Sequence, residues 1–230
     1  LGWDQEVMMP VGASEARAKQ ISALAGVLHE RMTDPVLGDC LRELREKTTD
    51  AWGAIEQCNI HEALRSYELE TKVPKQLVQE LAELGSLGHG IWVTARQENC
   101  FADFAPVLKR FLTLKREWAH CVAPESQPYD ANIDQFERGT TMAMITPIFD
   151  RLKQELIPFI NAIQDQAHQP DTSFLQGHFA IDRQESLARK ISRDIGFDFE
   201  KGRMDVSVHP FCGGSHPTDV RITTRYKDTH

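Results

Sequence analysis

The stretch TTMAMITPIFDRLKQELIPFINAI, residues 140–163, decides the fold class, because its apolar residues recur at helical spacing along its whole length. At its start, the side-chain oxygen of Thr140 or Thr141 can accept a hydrogen bond from a free amide of the first turn. The sequence therefore predicts one long amphipathic helix here and a mainly helical chain around it. The apolar stripe consists of Ile145, Ile148, Phe149, Leu152, Leu156, Ile160 and Ile163.

The same spacing extends toward the N-terminus and predicts a series of further helices. Gly85, Gly88 and Gly90 fall inside one of them and are expected to kink or break it, because glycine is a poor helix former. Residues that favour helix starts mark where these helices begin. The predicted starts are Ser14, Asp34-Pro35, Asp50, Pro74 and Asp103. The predicted buried face of the first helix is Ile21, Leu24, Ala25, Leu28 and Met32.

The pattern changes near residue 195, where Gly196 is a typical helix stop. Residues 204–208 and 220–226 alternate apolar and polar side chains and predict two strands, joined by a loop over residues 209–218. The predicted fold is thus mainly α, a multi-helix protein with a small β-hairpin or sheet element near its C-terminus. We divide it into a helical part, residues 1–195, and a strand and loop segment, residues 196–230.

Charge and composition exclude several classes of protein. The net charge of −8 argues against nucleic acid and acidic membranes as partners. An odd count of 5 widely spaced cysteines fits reduced thiols in the cytosol better than disulfides. No apolar run is long enough to span a bilayer. The chain opens on Leu1 and closes abruptly at His230, so we expect it to be a piece of a longer protein.

The chemistry-bearing residues concentrate in the segment 209–224, HPFCGGSHPTDVRITT. One interpretation is a metal site of His209, Cys212 and His216, since imidazole and thiolate are zinc ligands. A second makes Cys212 a nucleophile activated by a histidine. A third is a structural hairpin in which Asp219 and Arg221 bond to the loop backbone. A fourth is a substrate wall of Asp219, Arg221 and Thr223, which share one strand face; a guanidinium suits a C-terminal carboxylate.

Several motifs together resemble the carboxypeptidase Taq family. His209-Pro210-Phe211 followed by Asp219-x-Arg221-x-Thr223 is similar to that family's paired HPF and DxRxT signatures. Three other stretches resemble it in the same order along the chain. These are residues 3–10 (WDQEVMMP), 129–130 (YD) and 196–203 (GFDFEKGR).

The resemblance implies a mainly helical metallopeptidase that removes single residues from peptide C-termini, using zinc or cobalt held by an HExxH helix and a further Glu. This sequence contains no HExxH; His29-Glu30 is followed by Thr33 where the second histidine would stand. We therefore expect the metal ligands and the catalytic Glu downstream of residue 230, and no metal or catalysis in this chain alone. A cytoplasmic homodimer is the expected state of the parent protein.

Within this chain the resemblance places His209, Pro210, Phe211, Asp219, Arg221 and Thr223 at the border of the cleft. His209 is expected on the substrate side and Asp219 in a bracing role, whereas the role of Arg221 stays open between the two. The alternative function is a non-catalytic helical module that binds peptides or a partner. In either case, parts of the stripe from Ile145 to Ile163 are expected to be exposed and to promote association.

Overall fold

The computed structural model describes residues 1–47 and 52–229. Its contacts divide the chain into two compact units, Val11–Arg151 on one side and Leu1–Pro10 with Leu152–His230 on the other. The division into a helical part, residues 1–195, and a strand and loop segment, residues 196–230, was drawn by secondary structure and by the expected border of the active-site cleft. The two compact units do not test it, and it stays a prediction. In the described part of the chain, no helix has both the length and the apolar character needed to cross a membrane.

Helices dominate the described residues, and a small sheet follows them. The α-helices are α1 Gly2–Val7, α2 Ser14–Met32, α3 Pro35–Glu46, α4 Ala54–Thr71, α5 Lys75–Gln97, α6 Phe101–Val122, α7 Pro128–Ile133, α8 Met142–Gln164 and α9 Ile181–Asp194. Short 3-10 turns occur at Val11–Ala13 and Ser173–Leu175. The strands are β1 Gly202–Val206, β2 Cys212–His216 and β3 Asp219–Thr224.

Small residues, not large apolar ones, pack α2 against α5. Ala18, Ser22, Gly26 and His29 are the buried positions of α2, and the Ser22 hydroxyl donates to the carbonyl of Gln79 at 3.1 Å. The predicted buried face was wrong at Leu24 and Leu28, which are exposed, whereas its other members, Ile21, Ala25 and Met32, are half-buried. Close approach of the two helices selects short side chains, which carry little hydropathy signal. Ser14 is the first residue of α2, where its hydroxyl donates to the carbonyl of Val11, and not its cap.

Helices α3 and α4 pack at one glycine. A Cβ on Gly38 would lie 2.3 Å from the Tyr67 ring, so only glycine lets the buried tyrosine approach. The predicted start of α3 is confirmed: Asp34 accepts from the amide of Val36 at 2.9 Å, and Pro35 occupies the first turn. The predicted start at Asp50 lies outside the described residues.

A second core joins α5 and α6. Leu77 packs with Leu114, which is fully buried, and with Ala119 and Val122. Pro74 is the N-cap of α5, and the helix runs without interruption through its three glycines, so the predicted break was wrong. Packing against α6 outweighs the weak helix propensity of glycine.

The fold-deciding stretch forms α8 as predicted, but Asp130 of α7 satisfies its first amide. The Asp130 carboxylate accepts from the amide of Met142 at 2.7 Å, which neither predicted threonine does. No residue of α8 is buried, and only Ile145 is partly covered. The apolar stripe of α8 is thus exposed in this chain.

The sheet has the order β1-β3-β2, with β1 parallel and β2 antiparallel to β3. Both predicted strands exist, as β1 and β3, but the loop between them contains β2. The two predicted strands are therefore parallel neighbours, and the hairpin is formed by β2 and β3. Its register pairs Cys212 with Ile222 and Gly213 with Arg221.

Candidate functional site

One hydroxyl joins the two motifs of the segment 209–224. The Oγ1 atom of Thr223 accepts from the amide of Phe211 at 2.8 Å and lies 3.1 Å from the carbonyl oxygen of Phe211. The amide of Thr223 donates to that same carbonyl at 2.8 Å. The backbone of the HPF segment is thereby fixed to the DxRxT strand at one buried residue.

We call the hydrogen bonds between Thr223 and Phe211 the clamp. Ser207 extends this clamp to His209. Its hydroxyl is 2.8 Å from Oγ1 of Thr223 and 2.9 Å from the carbonyl oxygen of His209. Both hydroxyl residues are buried, whereas the His209 and Pro210 side chains are exposed. The clamp therefore holds the backbone and leaves the imidazole of His209 accessible to solvent.

Asp219 and Arg221 bond to each other and not to the loop backbone. The Nε and Nη2 atoms of Arg221 donate to the two carboxylate oxygens of Asp219 at 2.9 and 3.1 Å. This hydrogen bonding, helped by the charge of Arg221, lowers the pKa of Asp219 below its ordinary value, and it raises the pKa of Arg221. The guanidinium fork is therefore already occupied by a carboxylate of the same strand.

A second arginine and an aromatic ring complete this face of the sheet. Arg203 lies opposite Arg221 in the β1–β3 register and forms its own two-pronged pair with Asp205. The ring of Trp3, from α1, lies 4.8 Å from each guanidinium. Its indole nitrogen is buried, with no hydrogen-bond partner in the described part of the protein. Cation–π contact thus covers Arg221 on one side while Asp219 holds its edge.

The sequence did not identify three side chains that surround Asp219, Arg221 and Thr223, namely Trp3, Arg203 and Ser207. The alternating pattern of residues 204–208 predicted the strand beside Ser207, so a search for polar residues at its end could have found that hydroxyl. Trp3 lies about 200 positions away in the chain, and no local pattern connects it to the sheet.

The described residues do not fit a metal ion. In residues 1–47 and 52–229, no group of three His, Cys, Asp or Glu side chains lies close enough to hold one. The interpretation of His209, Cys212 and His216 as a zinc site is thus wrong for this geometry. His216 instead contacts the hydroxyl of Thr218 at 2.8 Å through Nδ1.

A cleft of about 570 Å³ lies within the unit Val11–Arg151, and three of its charged side chains bond to other groups of that unit. Arg65 pairs with Asp134, and Asp130 is the acceptor that begins α8. These contacts explain Arg65, Asp130 and Asp134 as structural links between α4, α7 and α8. The segment 209–224 remains the stronger candidate for a functional site.

Residues 1–230 match the family model of the carboxypeptidase Taq (M32) metallopeptidases. The chain belongs to the M32 family. This confirms the resemblance drawn from the HPF and DxRxT motifs, and it places the chain in a family of hydrolases that cleave peptides at the C-terminus with a divalent metal. The family's fold accounts for the mainly helical architecture with one small sheet.

Individual M32 relatives are similar to this chain in sequence and structure over almost its entire length. Thermostable carboxypeptidase 1 of Thermus thermophilus is 35% identical over 239 residues, covering 97% of this chain and 46% of the relative. The crystal structure of BsuCP superposes with a TM-score of 0.92 at 29% identity, covering 99% of this chain and 46% of that one. The M32 carboxypeptidase from Deinococcus radiodurans R1 gives a TM-score of 0.77 at 33% identity, covering 99% and 45%. The chain thus spans just under half the length of the relatives it matches.

Proposed function

We propose that this chain is part of a metal-dependent carboxypeptidase that hydrolyses single residues from the C-termini of peptides. Membership of the M32 family supports the activity, and the clamp of Thr223 on Phe211 supports a site in the segment 209–224. A hydroxyl that fixes one motif to another is expected where a loop must hold a defined position. The whole protein would be a cytoplasmic homodimer acting on peptides with a free C-terminus.

The metal, zinc or cobalt, would be held by residues that this chain does not contain. The described residues offer no group of three ligands, and the sequence has no HExxH. Bound metal lowers the pKa of a coordinated water and polarises the scissile carbonyl. We place its ligands and the catalytic Glu in the part of the relatives' length that this chain does not span. The isolated chain would then be inactive.

The six residues of the HPF and DxRxT motifs would form one wall of the active-site cleft. We assign His209 to the substrate side, because its imidazole is exposed while its carbonyl is near Ser207. We assign Asp219 and Arg221 to bracing, because the guanidinium is already bound by the carboxylate and covered by Trp3. Thr223 would set the position of Phe211 and, with it, of Pro210 and His209.

The experiment measures release of the C-terminal amino acid from an N-blocked dipeptide with added Zn²⁺ or Co²⁺. The 230-residue chain is tested beside a protein whose reading frame continues to the next stop codon. We expect activity only in the longer protein. Absence of activity in both proteins would contradict the proposed carboxypeptidase activity. Activity in the 230-residue chain would contradict the proposal that the metal ligands lie outside it.

A second function is supported by one observation, the exposed apolar face of α8. A helical module that binds a peptide or a protein partner would present such a face. This alternative requires a stop codon close after residue 230 and a stable product without peptidase activity.

A further inference from the structure

Two arginines of like charge stand opposite each other in the sheet. Arg203 of β1 and Arg221 of β3 are partners in the parallel register, and like charges in that position repel. The pKa of Arg221 is raised, chiefly by its bonds to Asp219, and the charge of Arg203 opposes that rise. Asp205 and Asp219 each bond to the arginine of their own strand, and within the described residues neither bonds to the arginine of the other strand. Hydrogen bonds therefore do not connect the two cations.

The ring of Trp3 contacts both cations. Its centroid lies 4.8 Å from the Cζ atom of each guanidinium. The face of an aromatic ring carries negative charge density and attracts cations, and among aromatic side chains the indole does so most strongly. Two such contacts outweigh one repulsion between cross-strand neighbours, because each contact is similar in size to that repulsion.

The indole nitrogen indicates that the ring, and not a hydrogen bond, accounts for Trp3 at this place. Its Nε1 atom is buried and has no partner in residues 1–47 and 52–229. A buried donor without an acceptor is unfavourable, and a phenylalanine in the same place would not have one. The larger and more negative π face of tryptophan therefore explains this side chain.

Helix α1, which carries Trp3, packs with the unit that contains the sheet. It has six residues, none of them buried, and a helix of that length is not stable alone. The residues Leu1–Pro10 group with Leu152–His230, and not with α2, which follows them in the chain. The contact of Trp3 with both arginines connects α1 to β1 and β3.

We propose that Trp3 is a positioning residue of the candidate site, whose ring keeps Arg203 and Arg221 side by side and holds Arg221 on Asp219. Without that attraction the two cations separate more often, and the bond between Arg221 and Asp219 opens with them. This rests on the proposed function, because Asp219 and Arg221 belong to the wall of the proposed cleft. It goes further by making a residue of the first helix a support of that wall.

Fluorination of Trp3 weakens the π face and keeps the side chain in place. Mono-, di- and tetrafluorotryptophan are introduced at position 3 of the 230-residue chain by suppression of a stop codon. Fluorine draws electron density from the ring, so its attraction for a cation falls at each step while its shape hardly changes. Trp52 is the matched control, because no cation lies over its ring in the described part of the chain.

The readout is the exchange with water of the Arg221 Nε–H proton, measured by nuclear magnetic resonance in protein with isotope-labelled arginine. This proton is donated to Asp219 at 2.9 Å and exchanges when that bond opens. Tetrafluorotryptophan at position 3 should raise the exchange rate about two- to fivefold, which corresponds to one exposed cation–π contact, and the other two analogues should raise it less. The Nε–H of Arg189, which bonds to Glu185, is the internal reference and should exchange at an unchanged rate.

A second experiment tests whether this support matters to the reaction. It uses the protein extended to its stop codon and the release of the C-terminal amino acid from the blocked dipeptide. Tetrafluorotryptophan at position 3 should lower kcat/KM by about two- to fivefold, and the same analogue at position 52 should leave it unchanged. Faster exchange at Arg221 with an unchanged kcat/KM would show a contact that is structural only, and would overturn the positioning role.

The exchange rates separate this proposal from the carboxypeptidase itself, because they need neither metal nor catalysis. Equal exchange at Arg221 for all analogues at position 3 would overturn the proposal, since the ring would then not hold the guanidinium. Equal effects at positions 3 and 52, or an equal rise for Arg189, would indicate a general loss of stability and would overturn it as well. An extended protein without peptidase activity contradicts the proposed function, and the exchange rates alone then decide the role of Trp3.

Discussion

Thr223 of the DxRxT strand holds the backbone of Phe211 in the HPF segment through its amide and its hydroxyl, at 2.8 Å in each case. The Ser207 hydroxyl contacts the Thr223 hydroxyl and connects the pair to the carbonyl of His209. Two motifs that are separated by seven residues thus behave as one structural unit. An exposed imidazole on a backbone fixed in this way is suited to meeting a substrate in a defined position.

Thr223→Val should destabilise the three-stranded sheet, because it removes the hydroxyl that bonds to Phe211. It keeps the shape of the side chain, so little else changes. The amide of Phe211 loses the buried hydroxyl that accepts from it, at a cost of about 1–3 kcal/mol. Thr223→Ser keeps the hydroxyl and loses one methyl group, which costs about 1 kcal/mol or less. Urea denaturation of both variants measures the difference. Equal midpoints for the two would show that the hydroxyl does not hold the loop.

The pair of Asp219 and Arg221 should contribute to stability at neutral pH and lose that contribution in acid. The pKa of Asp219 is lowered by its bond to Arg221, so the folded state favours the carboxylate. The contribution is complete above the ordinary Asp pKa, about 4, and is lost as the pH falls through the lower pKa of the folded state. The nuclear magnetic resonance shift of the Arg221 Nε–H group should change with a midpoint below about pH 4. Asp219→Asn should abolish that step, and a midpoint at or above the ordinary value would contradict the pairing.

Asp130→Ala should weaken the start of α8. The carboxylate satisfies the first amide of that helix from a residue twelve positions earlier, and loss of such a cap costs about 0.5–2 kcal/mol. Glu125→Ala, in the exposed loop just before α7, is the matched control and should stay within about 0.5 kcal/mol of the parent chain. Urea denaturation followed by far-ultraviolet circular dichroism compares them. An Asp130→Ala midpoint equal to that of the control would mean that α8 needs no cap.

Local signals in the sequence predicted the elements whose formation depends on neighbouring residues. The Asp34-Pro35 start, the long helix α8 and the stop at Gly196 are of this kind. The M32 motifs also identified the segment that the structure shows as one hydrogen-bonded unit. Capping residues and apolar spacing could predict these features because both depend on residues within a few helical turns of one another.

Long-range packing explains what the sequence did not reveal. β2 contains Gly213-Gly214, which have low strand propensity, and it exists because β3 pairs with it. The contact of Trp3 with Arg221 joins opposite ends of the chain. The α2 face of Ala18, Ser22 and Gly26 lacks the large side chains on which a periodicity search depends.

The 230-residue chain should self-associate through α8. Ile148, Phe149 and Phe159 lie on one side of α8 and are each more than half exposed, and contiguous apolar surface of this kind drives association. Sedimentation velocity should show oligomers that increase with concentration. A double variant, Ile148→Lys with Phe159→Lys, should shift the chain toward monomer, since charges on that face oppose burial. A parent chain that is monomeric at every concentration would contradict this expectation.

The most direct test of the proposed cleft wall compares two exposed histidines of the same segment in the protein extended to its stop codon. His209→Ala is the test variant, and His216→Ala, at the far end of β2, is the control. Loss of one hydrogen bond to substrate should lower kcat/KM about tenfold for His209→Ala. The His216→Ala value should stay within about twofold, and both variants should keep the parent's urea midpoint. If His209→Ala retains the parent's kcat/KM while remaining folded, the HPF segment does not border the site of catalysis.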